Sequence, residues 1–229
     1  VGISGKVVDH PFLEPRSTAD FPYPPLAENV AAQWIDEAAK KIDFKPLPLA
    51  RAILSRPEKD RNACYYSGYC GSYGCSSDAK GSSRAALLNK ALASGNLHII
   101  AQAKVFRLEE ENNQVIAAWY YNSAGQEVSV TAKIFVVAAQ AIETSRLLLL
   151  SKSKNFPNGL ANNSAQVGRN LIFSGGGSGS GEFHREKLSE VDWNALKAFG
   201  VFVNRTFHQW YEIKDETFDI PVKGGTIDF

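Results

Sequence analysis

The three cysteines of this 229-residue chain, Cys64, Cys70 and Cys75, all fall within "NACYYSGYCGSYGCSSDAKGSS", residues 62–83, at C-x5-C-x4-C spacing. Thiolates bind soft metals and hold iron–sulfur clusters. Three of them on one glycine-rich loop suit a three-iron (3Fe-4S) cluster, or a four-iron cluster with one outside ligand. Zinc commonly takes four ligands and C-x2-C pairs, and the loop has neither. The same thiols equally suit a structural or disulfide role, with one left over because three cannot all pair. Glycines at 68, 71, 74 and 81 free the backbone to wrap a small object, and the tyrosines at 65, 66, 69 and 73 could shield it from water.

Other chemistry is harder to find. The pyrophosphate fingerprint G-x-G-x-x-G is absent, and "SGGGSGSG" does not match its spacing. That run reads as a flexible linker, or as a glycine-rich strand between Phe173 and Phe183. The histidines are His10, His98, His184 and His208, and their order supports no Ser-His-Asp or Cys-His constellation. His208, in "NRTFHQWYE", reads as a surface or packed histidine. "EEENN", residues 109–113, reads as a solvated turn. The catalytic assignment from residues alone is therefore none.

The elements that must position the thiols follow from periodicity. "DHPFLEPRSTADFPYPPL" carries five prolines and predicts an irregular segment packed by Phe12, Phe21 and Tyr23. Val30, Trp34, Ile35, Ala38 and Ile42 recur at helical spacing, predicting a helix over 26–42. Prolines at 46, 48 and 57 predict loop over 43–60. "SSRAALLNKALASG" predicts a helix over 82–94, capped by Ser82 or Ser83 and stopped at Gly95. "NLHIIAQAKVFRL" predicts a strand, and "QVIAAWYYNSAGQEVSV" a hairpin about "NSAG". "IFVVAA", residues 134–139, is a continuous apolar run that suits a strand buried on both faces. The helix "AIETSRLLLLS" follows it directly, which is half of a βαβ unit. "FGVFVNRTFHQWYEI" predicts the first strands of an antiparallel sheet.

Composition sets outer bounds. A net charge of +1 argues against a nucleic-acid footprint. No apolar run approaches the length of a transmembrane helix, and the compartment stays unknown. The chain contains no methionine, not even an initiator, and ends on the β-prone "VKGGTIDF". It is expected to be a piece of a longer protein.

The ordered series from "CGSYGCSSDAKGSSRAALLNK" through "IIAQAKVFRL" and "VVAAQAIETSRLLLLS" to "VGRNLIF" resembles the middle of a glucose–methanol–choline (GMC) flavoprotein oxidoreductase. The nearest type is the flavin subunit of gluconate, sorbitol and glucose dehydrogenases. The resemblance covers residues 60–175, with looser likeness in "PYPPL", "PLPLARAILS" and "KGGTIDF". It implies an α/β (mixed α+β) fold: the central part of a FAD-binding domain plus the start of an antiparallel substrate-domain sheet. By the same likeness, residues 1–60 are a proline-rich lid or substrate-domain segment with one helix. Residues 61–173 are part of the FAD-binding domain, and 174–229 begin the substrate-binding sheet.

The resemblance also implies roles. Val105 lies on the strand whose backbone meets the FAD adenine. Ala138, Ala139 and Gln140 line the turn from buried strand to helix against the cofactor; many relatives have glycine where Gln140 stands. Cys64, Cys70 and Cys75 occupy the region where some family dehydrogenases carry a three-iron cluster. The family's dinucleotide fingerprint and catalytic histidine region are absent from this chain. The implied parent enzyme oxidises an alcohol group of a sugar, polyol or sugar acid by hydride transfer to FAD. It passes electrons to an acceptor protein such as a cytochrome, and this chain alone is expected to be inactive. Two readings stand beside it: an iron–sulfur electron-transfer module on the cysteine loop, and an interaction domain with inert thiols.

Overall fold

The computed structural model describes residues 1–13, 15–67, 70, 73–198, 205–217 and 219–229. In chain order the helices are α1 (Val30–Lys40), α2 (Asn89–Ala93), α3 (Ala141–Leu150) and α4 (Glu190–Ala198). The strands are β1 (Pro46–Pro48), β2 (Lys104–Glu111), β3 (Gln114–Tyr121), β4 (Glu127–Thr131), β5 (Arg205–Phe207), β6 (Glu212–Ile213), β7 (Val222–Lys223) and β8 (Ile227–Asp228). The chain divides into two compact units, one of residues 1–97 with 181–229 and one of residues 98–180. Mixed helices and antiparallel sheets agree with the expected class.

In the first unit, Asn29 caps α1 by accepting the Ala31 N–H at 2.8 Å. The helix buries Ala32 and Ala39, and Trp34 meets Phe183 edge-on with ring centroids 5.4 Å apart. β1 pairs antiparallel with β5, Leu47 opposite Thr206, and β5 pairs on its other side with β8. β1 is therefore an edge strand, which is where two prolines can sit in a sheet without breaking a ladder bond. All three residues of β5 are buried. A π-helical turn, Arg84–Leu88, runs straight into α2. Ser82, as expected, accepts the Ala85 N–H at 3.2 Å, and Gly95 closes the segment at φ +74°.

The N-terminal segment is tied to this unit by Ser4, only 2% exposed. Its hydroxyl donates to the Ile53 carbonyl at 2.5 Å and accepts the Ser55 N–H at 3.1 Å.

The second unit is a β2-β3-β4 meander carrying α3. Asn112 and Asn113, both at positive φ, form the turn between β2 and β3. That is the "EEENN" run, and asparagine tolerates the left-handed region there. Leu108 of β2, Leu147 of α3 and Leu160 make the core, with Val115, Ala118, Val137, Leu148 and Phe156 against it. Ser151, 1% exposed, links strand to helix: its hydroxyl accepts the Leu108 N–H at 2.9 Å and donates to the Leu147 carbonyl at 2.7 Å.

The structure corrects three expectations and adds one helix. Residues 97–103 are irregular, and the strand begins at Lys104. Residues 134–139 form no strand, and Ile134 and Val136 are 81% and 85% exposed. A strand exists only by pairing; this run finds no partner among the described residues, so only Val137 reaches the core. Proline at 46 and 48 does not exclude a strand over 46–48, because it is an edge. Helix α4 went unread, although Ser189 accepts the Asp192 N–H at 3.1 Å as a local N-cap. The "SGGGSGSG" run has no regular structure and is exposed throughout. A Cβ added at Gly175, Gly176, Gly177 or Gly179 would touch nothing, so linker is the better of its two readings. Part of the expected "FGVFVNR" strand, residues 199–204, lies outside the described residues.

Candidate functional site

The cysteine loop is held by two crossings of the chain. Leu54 N–H donates to the Ala79 carbonyl at 3.0 Å, and Cys64 N–H to the Leu54 carbonyl at 2.8 Å. Asn62 N–H reaches Ser77 at 3.2 Å, and Gly81 N–H reaches Ala52 at 2.7 Å. Only glycine fits at 81: a Cβ there would lie 2.6 Å from Val1 Cγ1 and 2.9 Å from the Val1 carbonyl oxygen. Tyr66, at φ +58°, accepts the Ala27 N–H on its hydroxyl at 2.6 Å.

Beneath the loop sits Arg61, 6% exposed. Its guanidinium donates to the carbonyls of Val1 at 2.9 Å, Asp78 at 3.0 Å and Ala79 at 3.0 Å. A fork of five donors suits three carbonyls converging from two chain segments. Asp78 itself ion-pairs with Arg84 outside the cluster.

Cys64, Cys70 and Cys75 all line one cavity of about 280 Å³, together with Ile53, Tyr66, Ser77 and Lys80. Cys64 and Cys75 pack on the buried cluster of Tyr23, Leu26, Ile53, Leu54 and Ala79. The Tyr65 hydroxyl and Ser76 Oγ, 2.7 Å apart, join the two limbs of the loop. All three thiols are free and half-buried.

The thiols differ electrostatically. Burial pushes the Cys64 thiol up, and its neighbours Cys70 and Cys75 add to this against the Tyr66 N–H. Burial also raises Cys75, but hydrogen bonds to its sulfur outweigh it. The N–H groups of Lys80, Ser77 and Ala79 and the Ser77 hydroxyl hold that thiol below its ordinary value. The spacing thus brings the three cysteines to one place. It does not assemble a cluster site: among the described residues no three or more His, Cys, Asp or Glu side chains are placed to hold a metal ion. The cluster expectation for Cys64, Cys70 and Cys75 finds no support in this geometry. Arg61, Ser77 and Lys80, which shape the cavity, carried no sequence signal beyond their nearness to the cysteines.

The residues expected to meet the flavin lie in the second unit. Val105 is on β2, opposite Tyr120, and 38% exposed. Ala138, Ala139 and Gln140 form the entry to α3 and are exposed. Gln140 has φ +73° and ψ 162°, a region normally reserved for glycine. Its Oε1 accepts the N–H groups of Ile142 at 2.9 Å and Glu143 at 3.2 Å, and Ala139 N–H donates to Thr144 Oγ1 at 3.1 Å. The glutamine thus keeps a glycine-type backbone path and folds its side chain back as the helix cap. β2 packs on α3 through Leu108 and Leu147, so all four residues belong to one packed unit. Elsewhere, His208 lines an open cavity of about 520 Å³ with Tyr211, Phe12 and Leu13, and its Nδ1 has no hydrogen-bond partner among the described residues. No helix among the described residues is long and apolar enough to cross a membrane.

The family model described as GMC oxidoreductase matches residues 29–173. Among curated proteins, fructose dehydrogenase large subunit of Gluconobacter japonicus is 34% identical over 59% of this chain and 25% of its own length. 6'''-Hydroxyparomomycin C oxidase of Streptomyces lividus is 33% identical over 62% of this chain and 26% of its own length. Gluconate 2-dehydrogenase flavoprotein of Pantoea cypripedii is 26% identical over 74% of this chain and 28% of its own length. The chain therefore spans about a quarter of the length of the curated relatives it matches.

Proposed function

This chain belongs to the GMC oxidoreductase family, whose members are enzymes, and we propose that the whole protein is a FAD-dependent dehydrogenase oxidising an alcohol group of a sugar, polyol or sugar acid. FAD, when bound, supplies the hydride acceptor. The part of this chain is positional. The strand at Val105 offers backbone and an apolar side chain to the adenine end of the cofactor. The turn Ala138–Ala139–Gln140 offers a small-residue surface at the start of α3. None of the four histidines is assigned as the base that takes the hydroxyl proton.

The observation that carries this reading is the entry to α3. Two exposed alanines precede a residue in a glycine-type conformation, inside the stretch matched by the family. Such a turn keeps the backbone accessible while the Gln140 side chain is turned onto its own helix. The sugar, polyol or sugar-acid class is supported by the names of relatives, which include fructose and gluconate.

The test is anaerobic mixing of the whole flavin-loaded protein with a panel of aldoses, ketoses, polyols and aldonic acids. Loss of oxidised-flavin absorbance with at least one of them is expected; a protein that retains no flavin, or flavin bleached by none of the panel, refutes the proposal. An Ala139→Trp variant is expected to lose flavin content while keeping its helical circular dichroism.

A further inference from the structure

The N-terminal segment and the β1-β5 region enclose a further open cavity, of about 500 Å³, to which the flavin chemistry assigns no role. It adjoins the cavity of about 520 Å³ at His208 and Tyr211, which line both. Local contacts bring its walls together. Gly5 lies close on the Phe21 ring, where a Cβ would come within 2.8 Å of three ring atoms. That approach sets Lys6 on the same wall as Phe21 and Arg16. His10 Nε2 donates to the Lys45 carbonyl at 3.1 Å, and the Leu13 N–H turns back to the His10 carbonyl at 3.1 Å. Lys45 N–H in turn donates to Gln209 Oε1 at 2.7 Å, next to His208. The strap that carries Leu13 is thus tied to the strand ends beneath it.

We propose that this cavity binds a small organic carboxylate with an apolar body, the carboxylate on Arg16 and Lys6 and the body on Leu13, Pro15 and Leu47. Three observations support it. Arg16 is held in place before any ligand arrives: its guanidinium lies 3.5 Å over the Phe21 ring, and its Nη2 donates to Thr18 Oγ1 at 3.0 Å and to the Asp20 carbonyl at 3.4 Å. Among the described residues its Nε and Nη1 make no hydrogen bond, which leaves one edge of the planar fork open to a carboxylate. Second, neither Lys6 nor Arg16 has a carboxylate partner among the described residues. No described carboxylate lines this cavity either; Glu212 lines the adjoining one, 4.0 Å from Lys223 Nζ. Third, His208 Nδ1 is buried without a partner, and a polar atom in that state marks a place where a further group is missing.

The remaining walls decide the body of the ligand. Leu13, Pro15, Leu47, Pro48 and Leu49 are apolar, and among the described lining residues only Thr226 and Tyr211 bring a hydroxyl. A polyhydroxylated body would leave most of its hydroxyls without partners there, at a cost in free energy, whereas an alkyl or aryl body is removed from water. The volume admits such a molecule and is far more than one buried water needs. No bond is made or broken and no flavin takes part, so the site stands or falls independently of the proposed dehydrogenase activity.

The whole protein is titrated calorimetrically with three probes. Octanoate has the charge and the apolar body, 1-octanol the body alone, and gluconate the charge on a hydroxylated body. Octanoate is expected to bind one-to-one and about tenfold tighter than either of the others, the scale of one hydrogen bond to a charged group. Arg16→Gln and Lys6→Gln should each weaken octanoate about tenfold and leave 1-octanol unchanged. Leu13→Glu, which sets a carboxylate on the wall, should abolish octanoate binding. Lys6 is exposed, so its variant decides the matter should Arg16→Gln fail to fold, as circular dichroism will show. No octanoate binding would overturn the proposal, and so would 1-octanol binding as tightly, which would mark an apolar hole only. Gluconate binding as tightly as octanoate would overturn it in favour of a sugar-acid site. An octanoate affinity that either folded charge variant leaves unchanged would overturn it as well.

Discussion

Arg61 Nη2 donates to the Ala79 carbonyl at 3.0 Å, eighteen residues further along the chain, and Ala79 is itself fully buried in the wall of the thiol cavity. The same guanidinium holds Asp78 and Val1. One side chain thus joins the N-terminus, the base of the cysteine loop and the segment that shapes the donors around Cys75. Charge-assisted hydrogen bonds inside the protein are worth more than neutral ones, and a carbonyl stripped of its donor in a buried place costs free energy outright.

Replacing Arg61 should therefore be expensive. Arg61→Ala is expected to destabilise the chain by about 3 kcal/mol, since buried carbonyls lose their donors. Arg61→Lys is expected to cost less, about 1–2 kcal/mol, because one ammonium serves fewer of the three carbonyls than a planar fork. Urea denaturation followed by circular dichroism checks both values and their order.

Gln140 gives a prediction with an unusual sign. Its backbone conformation is of a kind that costs about 1–3 kcal/mol for a residue with a Cβ, and its side chain offsets this by capping α3 at Ile142 and Glu143. Gln140→Ala keeps the strain and loses the cap, and should destabilise by about 1 kcal/mol. Gln140→Gly loses the cap and relieves the strain, and should stay within about 1 kcal/mol of the parent chain. Glycine more stable than alanine at this position reverses the usual order, and thermal melts of the two variants decide it.

How much of this was legible beforehand depended on whether the signal was local. Ser82 before the segment that includes α2, the Asn112–Asn113 turn and the "NSAG" hairpin act over a few residues, and each stands where the chain pattern placed it; the Asn29 cap of α1 is equally local but fell inside the helix expected over 26–42. The run Ile134–Ala139 did not behave as an apolar run suggests, because a strand needs a neighbour and the described residues supply none. The gathering of Cys64, Cys70 and Cys75 was legible in their spacing. The contacts that close the loop were not: Arg61 reaching Val1, Tyr66 reaching Ala27, and a glycine at 81 that lets Val1 approach. Those contacts join residues dozens of positions apart, and no local pattern encodes them. Helix α4 is the opposite case: its Ser189–Asp192 cap is local, but it lies between a glycine–serine run that reads as linker or strand and an aromatic run that reads as strand.

Glu110 sets a pH-dependent link in the second unit. Its carboxylate accepts the Ser153 hydroxyl at 2.5 Å, the Asn155 amide at 3.0 Å and the Asn113 N–H at 2.7 Å. Hydrogen bonds from Ser153 first, then Asn155, hold its pKa below the ordinary carboxylate range. A carboxyl group depressed in the folded state contributes stability that is present above its unfolded value and lost as pH falls through the folded one. Ser153→Ala should raise the Glu110 value toward normal, read by NMR titration of its side-chain carbons. The stability difference between parent and variant should shrink as the solution is made acid; a difference that persists unchanged at low pH would contradict the assignment.

The last prediction concerns Arg205 and the two carboxylates it holds. Arg205 Nε donates to Asp36 Oδ2 at 2.7 Å across 169 residues of sequence, and its Nη2 pairs with Glu28 at 2.7 Å. Burial pulls the guanidinium down, but Asp36 and then Glu28 more than compensate and keep it firmly charged. The two carboxylates are not equivalent. The side chain of Asp36 is 16% exposed and that of Glu28 is 43% exposed, against 9% for Arg205. A partner removed from a buried pair leaves an uncompensated charge in a poorly solvated place, whereas water replaces a partner at the surface. Asp36→Ala should accordingly cost about 3 kcal/mol, and Glu28→Ala no more than about 1 kcal/mol. Because α1 carries Asp36 and β5 carries Arg205, the Asp36 variant should also loosen the β1-β5-β8 sheet. Hydrogen exchange at the Thr206 and Phe207 amides reads this directly: faster exchange in Asp36→Ala with parent-like exchange in Glu28→Ala is the expected result, and equal effects from the two variants would show that burial does not decide the strength of this pair.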